Sequence, residues 1–446
     1  MFDNLVKECK RNFDAWEIVN FKTISDSVGF EAGKLKDIDA SERNGYALRA
    51  VKDGKMAYGI TYKPDGHKEL VEAVLGNIPY GSAFEIEFSG RSPYTSPKIR
   101  SKATKEMTVE SMIEMGRQLV EPLKSLDKDA KIGAGVSKTN QKVRIRTSSH
   151  FEGEYEKDGC SYGSYVQLTK DDNMLAVGDG FNGVRPDQPI SKMTDKVKAQ
   201  FEWGRKNVPA KTGKYKVLFS ADAFAHAISI LLSSFSGRNV FRGVSPFIGQ
   251  YGKTIFDKRI TLTDDGLMDF APESAPFDHE GTPMQTTKLV KDGKLCGLLL
   301  DLEAAKRLNM KPNGKAFKRS GFYGGADLDP IPAIGPSTIR LEPGKRHTDE
   351  IIEEVSEGIY IDSLLGTMMS NPLTGMLSGN IDLGFLIKKG EIAGRIKDAM
   401  LSVNLFEVLK SGLIEISGEM TRTAGWGGKV ELPSVFLDNC TIAVKS

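Results

Sequence analysis

The sequence predicts an α+β fold in two domains: an N-terminal mixed α/β domain, residues 1–207, and a larger β-rich C-terminal domain, residues 208–446. Three observations carry this expectation. Strand-like runs broken by turn signals lie beside separated helical stretches. The 446 residues are many for one core. The stretch NVPAKTGK interrupts all periodicity near residue 210 with proline, glycine and lysine.

Residues 1–13 form a short helix, with Phe2, Leu5, Val6 and Cys9 on one side. From Trp16 to Lys63 alternating segments predict strands, broken at Gly29, Gly33, Asn44–Gly45 and Asp53–Gly54. Residues 67–76 and 108–126 read as helices. In the second, Met112, Met115, Leu119, Leu123 and Leu126 share a side and fit core packing better than a ligand groove. Strands are expected at 131–147 and 161–178, with turns at Thr139–Asn140 and Asp171–Asp172. A charged helix is expected at 190–206.

The second half opens on YKVLFSADAFAHAISILLSSFSG, residues 215–237. Val217, Leu218 and Phe219 make a short strand, and Ser220 stands at the N-cap of the helix that follows. Asp222 falls in the first turn, where the helix dipole favours a carboxylate. Phe224, Ile228, Leu231, Leu232 and Phe235 form an apolar stripe. Asp222, His226, Ser229 and Ser233 lie opposite, and Gly237 is expected to end the helix. A carboxylate and a histidine one turn apart are either half of a zinc site or an ordinary solvated face. The second reading is favoured, because a metal site needs three protein ligands and two at most are visible. Mostly β structure follows, with helices at 301–309, 348–356 and 397–411 and a glycine-rich run at 366–384.

Hydrophobic content of 39% and charged content of 27% describe a soluble globular protein. A net charge of +2 argues against direct nucleic-acid binding as the main activity. Cys9, Cys160, Cys296 and Cys440 are far apart and form no CxxC, which suits a reducing cytoplasm. No signal peptide opens the chain, and no stretch approaches the roughly 20 apolar residues of a membrane helix.

Several motifs are decoys. Gly159-Cys160-Ser161-Tyr162-Gly163 matches GxSxG, but its flanks suit a hairpin turn better than a nucleophile elbow. Gly252-Lys253-Thr254 lacks the first glycine of a phosphate loop, since Phe247 stands there. His279-Glu280 opens like HExxH, but Pro283 is incompatible with the helix that motif needs. His279 then reads as a turn residue with a local hydrogen bond. His67, His150 and His347 form no constellation.

The second half resembles the TldD/PmbA family, once called modulators of DNA gyrase. The matching segments include the strand and helix at 215–237, FRGVSPFIGQYG (241–252), PFDHEGTP (276–283), EGIYIDSLLG (357–366), NPLTGMLSGN (371–380) and KKGEIAGRIKDAMLSVNLFEVL (388–409). The first half matches more loosely, around 43–61 and 141–151. The resemblance implies one of two kinds. The TldD kind is similar to a zinc peptidase with HExxxH and a cysteine ligand in a GMCGK-like segment. The PmbA kind, also called TldE, lacks these and pairs with a TldD subunit.

This chain departs from the peptidase pattern. Ala221 stands where the first histidine would be, Asp222 replaces the glutamate, and His226 alone remains. AGWGGK puts Gly427 in the place of the cysteine. Alanine and glycine side chains offer zinc no donor. The resemblance therefore implies a PmbA/TldE-like, non-catalytic subunit of a cytoplasmic TldD–TldE-type zinc metallopeptidase complex. It would hold no metal or cofactor of its own. It would pair with a TldD-like zinc peptidase subunit, or with itself, and help to bind and channel extended or unfolded peptides. Two alternatives stay open: a regulatory protein modulating DNA gyrase or another partner, and a hydrolase with an unrecognised site. Asp222 and His226 are the candidates for a vestigial pocket, with His279 and Glu280 as a second choice.

Overall fold

The structure, a computed structural model, describes residues 1–171, 173–318, 328–329, 331–367, 370–423 and 430–445. In the first half, α1 (Phe2–Asn12) buries the stripe Phe2, Leu5, Val6 and Cys9. It is followed by β1 (Ala15–Glu31), β2 (Lys34–Lys52), β3 (Lys55–Thr61), α2 (His67–Asn77), β4 (Ser82–Ala83), α3 (Lys102–Lys105) and α4 (Val109–Val120). Then come β5 (Lys131–Thr147), β6 (Glu152–Lys170), β7 (Asn173–Gly183) and α5 (Ile190–Gly204). The seven strands form one antiparallel sheet in the order β4-β3-β2-β1-β5-β6-β7. Met112, Leu119 and Leu123 pack into a core with residues of β5, β6 and β7, as the spacing expects.

The second half contains β8 (Gly213–Phe219), α6 (Ala221–Leu232), α7 (Gly237–Phe241), β9 (Leu262–Asp265), β10 (Thr286–Lys291), β11 (Lys294–Leu295), α8 (Leu302–Arg307), β12 (Ala316–Phe317) and β13 (Ala333–Ile334). It continues with β14 (Ile339–Leu341), α9 (Thr348–Glu353), β15 (Glu357–Leu365), β16 (Met376–Lys388), β17 (Glu391–Arg395) and β18 (Ala399–Asn404). It ends with α10 (Leu405–Ser411), β19 (Leu413–Ile416), β20 (Thr421–Arg422), β21 (Val430–Leu432) and β22 (Val435–Val444). Strands run in the order β15-β8-β22-β18-β16, and β15 also pairs with β16, so five strands close into a ring. Closure removes the exposed edges that an open sheet must protect. This is an α+β protein with a β-rich C-terminal region.

β8 explains how the two halves share a core. Val217 and Phe219 join α6 residues Phe224, Ile228 and Leu231 in one apolar cluster. Leu218, on the opposite face, joins Tyr360, Phe385 and Phe436 against α5 and the N-terminal sheet. A strand buried on both faces reads as a continuous apolar run, which is what residues 217–219 are.

Several local expectations are overturned by pairing. Gly29 and Asn44–Gly45 lie inside β1 and β2, and the turn between these strands is Ala32–Gly33. The Asn20 side-chain amide donates to Asn44 Oδ1 at 2.7 Å and to the Gly45 carbonyl at 2.9 Å, so the pair is held within the ladder. Thr139–Asn140 lies inside β5, where the Asn140 amide donates to Glu156 and Asp158. Of the Asp171–Asp172 turn, Asp171 adopts φ 53° between β6 and β7, and Asp172 lies outside the described residues. The polar stretch 152–158 is strand, and GxSxG forms neither elbow nor turn. It is mid-strand in β6, paired on both sides. Gly237 opens α7; α6 itself stops at Leu232 and passes through a 3₁₀ turn. Residues 399–404 are strand, and the last helix starts only at Leu405, where Asn404 caps it by accepting from the N–H groups of Phe406 and Glu407. In the glycine-rich run, Met368 and Met369 lie outside the described residues. All four cysteines are free. No described helix is long and apolar enough to cross a membrane.

Candidate functional site

Two polar clusters take up the four candidate residues. The first is built at the N-terminus of α6. Ser220 caps the helix, its hydroxyl accepting from the Ala223 N–H at 3.1 Å and donating to the Asp362 carbonyl at 3.2 Å. The cap fixes the start of α6 against β15, where the Ser220 N–H also donates to the Ile361 carbonyl. Asp222 then points at α5, and the Lys196 ammonium lies 3.0 Å from its Oδ2. Lys196 also reaches Asp179 of β7 at 3.1 Å and Asp362 of β15 at 4.0 Å. Tyr360 donates to Asp362 at 3.3 Å, and the Gln188 amide donates to Asp179.

One ammonium thus sits among three carboxylates. Burial pushes the Asp179 and Asp362 carboxyls upward, with Lys196 opposing. Burial alone would lower the Lys196 ammonium, but Asp362, Asp222 and Asp179 together raise it well above its ordinary value. The cation is therefore permanent at neutral pH.

His226, one turn after Asp222, has Nδ1 3.2 Å from the Thr367 hydroxyl. Burial lowers its pKa, opposed by the charge of Asp222, so the ring is neutral near pH 7. This helix face is half-buried and engaged rather than solvated, because α5 and the segment after β15 cover it.

The second cluster surrounds the PFDHEGTP turn. Asp278 organises it: Oδ1 accepts from the N–H groups of Glu280 and Thr282, each at 2.9 Å, and Oδ2 from that of Ala316 at 3.0 Å. Gly281 has φ 79°, and a Cβ there would lie 2.6 Å from the Phe151 ring, so glycine is required twice over. His279 is 1% exposed. Its Nδ1 accepts from the Lys318 N–H at 2.8 Å, which puts the proton of the neutral ring on Nε2. Its partners are distant in sequence, so the expected local hydrogen bond is replaced by tertiary ones. The Phe21 and Phe317 rings meet the imidazole edge-on.

Glu280 accepts from Arg49 at 2.8 Å and from the Leu302 N–H at 3.0 Å. Arg49 forks onto Glu17 at 3.1 and 2.7 Å, and the Lys318 ammonium lies 2.8 Å from Glu17. Burial pushes the Glu280 carboxyl up and the Lys318 ammonium down to about 8.

The structure therefore keeps each sequence-adjacent pair together and seats the two pairs in different networks. Lys196, Asp179 and Asp362 complete the first, and Glu17, Arg49 and Lys318 the second. Sequence reasoning missed all six. One signal was available: Lys196 lies one residue before Val197 and four before Gln200, on the edge of the buried stripe of α5.

Zinc is the metal that the resemblance brings to α6, and the described residues do not fit it. Ala221 has no donor, the Asp222 carboxylate already holds an ammonium, and His226 supplies one nitrogen. Among the described residues no group of three His, Cys, Asp or Glu is arranged to hold a metal ion. Gly427 and the rest of AGWGGK lie outside the described residues.

Comparison with known proteins supports the resemblance. A family model described as the PmbA/TldA metallopeptidase C-terminal domain matches residues 212–444, and one for domain 1 of the same family matches residues 16–77. An uncharacterized protein of Methanocaldococcus jannaschii is 25% identical over 92% of this chain and 94% of its own length. A metalloprotease of Archaeoglobus fulgidus is 25% identical over 93% and 94%. The crystal structure of TldE from Thermococcus kodakarensis superposes with a TM-score of 0.88 at 22% identity, covering 99% of each chain. Because the C-terminal match alone spans more than half of its length, this chain belongs to the TldD/PmbA metallopeptidase family.

Proposed function

We propose that this chain is the TldE-like, non-catalytic subunit of a cytoplasmic two-subunit peptidase of the TldD–TldE type. One observation carries the reading. Where the family's catalytic helix has histidine and glutamate, this helix has Ala221 and an Asp222 held by the Lys196 ammonium. A general base must meet the water it activates, and this carboxylate meets a fixed cation instead. The zinc chemistry then belongs to a TldD-like partner, and this chain helps to bind and channel unfolded peptides. The chain divides into two domains at residues 207/208. In support, the described strands of the N-terminal sheet end at Gly183, and those of the other sheets begin at Gly213.

The test is to purify the full chain alone and together with an HExxxH-bearing member of the family. Alone, after dialysis against metal-free buffer, it should retain no zinc and cleave no unfolded protein. Together, the two should co-purify and cleave. Retention of about one zinc per chain, as an intact three-ligand site would give, defeats the reading. So does cleavage by this chain alone.

A further inference from the structure

An open cavity of about 670 Å³ lies over the start of β1 and the β5–β6 connection, away from every residue of the α6 cluster in its lining. Its walls are fixed by tertiary bonds. The Trp16 N–H donates to the Ser148 hydroxyl at 3.0 Å, and the Ser148 N–H returns to the Trp16 carbonyl at 2.8 Å. Gly90 bridges to His150, which brings Arg91 to the rim. Tyr94 rests edge-on against Phe277 at 5.2 Å, and Phe151 packs on the same ring at 5.0 Å. Tyr94, 42% exposed, and the exposed Pro93 thereby give the cavity an apolar wall, while Trp16 and Phe151, 3% and 2% exposed, support it from the core.

The charges that line it are unevenly committed. Asp14 accepts from the Asp53 N–H at 2.8 Å. Glu152 is shared by Arg144 and Arg146 at 3.4 and 3.5 Å. Lys10 and Arg91 have no ion-pair partner among the described residues. Two uncommitted cations beside an exposed apolar wall suit a ligand that carries an anion next to an apolar group. A guanidinium fork matches a carboxylate in particular.

We infer that this cavity binds the C-terminal carboxylate of an extended peptide whose last residue is aromatic or large and apolar. Arg91 and Lys10 hold the carboxylate, and Tyr94 and Pro93 receive the side chain. The choice of a peptide rests on the function proposed above; the preference for an anion rests on the cavity alone. A phosphate would bring charge without the apolar group.

The test is fluorescence anisotropy on the full chain. The probes are an N-terminally labelled hexapeptide ending in Leu-Phe with a free carboxylate, its C-terminal amide, and inorganic phosphate as competitor. The free acid should bind saturably, and the amide at least about tenfold more weakly, the loss expected for one charge-assisted contact. Arg91→Ala, at an exposed position, should weaken binding of the free acid by at least about fivefold and narrow its lead over the amide. Lys10→Ala should act in the same direction. Equal binding of acid and amide overturns the inference. Insensitivity to Arg91→Ala does so as well, as does displacement by phosphate at concentrations equal to those of the competing free acid. Capture of the HExxxH partner without peptide binding would sink this inference alone. Peptide binding without partner capture would sink the functional reading alone.

Discussion

The two charge clusters use the same chemistry and differ in how far they are sealed. Around Glu280 the side chains are shut away: Arg49 is 3% exposed, Glu280 1%, and Glu17 and Lys318 0%. Around α6, Lys196 and Asp222 keep 29% and 31% of their side-chain surface. A sealed network can only hold elements together, because nothing reaches it without local unfolding. A half-open one can still exchange water, ions or a ligand. HEGTP, which opens like HExxH, lies in the sealed network. The α6 cluster, with Asp222 and His226, keeps its access.

Breaking the sealed network should produce the largest effect. Arg49→Met leaves Glu17 and Glu280 buried with one cation fewer. The expected cost is about 3–5 kcal/mol, measured by denaturant unfolding. A loss below about 1 kcal/mol would show that water enters the network after all.

Next comes the pH response of Lys318. Burial holds its ammonium at about 8, against 10.5 for a free lysine. Below pH 8 the folded and unfolded chains both carry the proton. Between about 8 and 10.5 the unfolded chain binds more protons, so the wild type gains stability relative to Lys318→Met as pH rises through that window. The gain should approach about 3 kcal/mol. A pH-independent difference between the two proteins would count against a sealed Lys318.

The open cluster should respond less. Lys196→Met exposes three carboxylates to one another, but solvent shares the cost, and a loss of about 1–2 kcal/mol is expected. Adding Asp222→Asn should restore part of it in a double-mutant cycle. Full additivity would mean that the 3.0 Å contact carries no coupling.

The smallest effect belongs to His226. Its pKa is lowered by burial, so below the ordinary value of 6.5 the unfolded chain takes up the proton first. Stability therefore falls as pH drops through that value, and His226→Gln should flatten the slope. An unchanged slope would place the ring in contact with bulk water.

What was legible in the sequence was local. The Ser220 cap, the apolar stripe of α6, the apolar run 217–219 and the absence of a donor at Ala221 beside Asp222 each depend on residues within a few positions of one another. Such signals act through the helix and strand periods and survive in one dimension. The turns expected at Asn44–Gly45 and Thr139–Asn140 failed because long strand partners supplied the hydrogen bonds that a turn would otherwise have made.

The tertiary structure alone decided which charges meet. Glu280 finds Arg49 across 231 residues, and Asp222 finds Lys196 across 26. An exposed charge and a buried one are written with the same letter, and a spacing rule cannot tell them apart. The difference is made by desolvation, and that depends on what the rest of the chain packs on top.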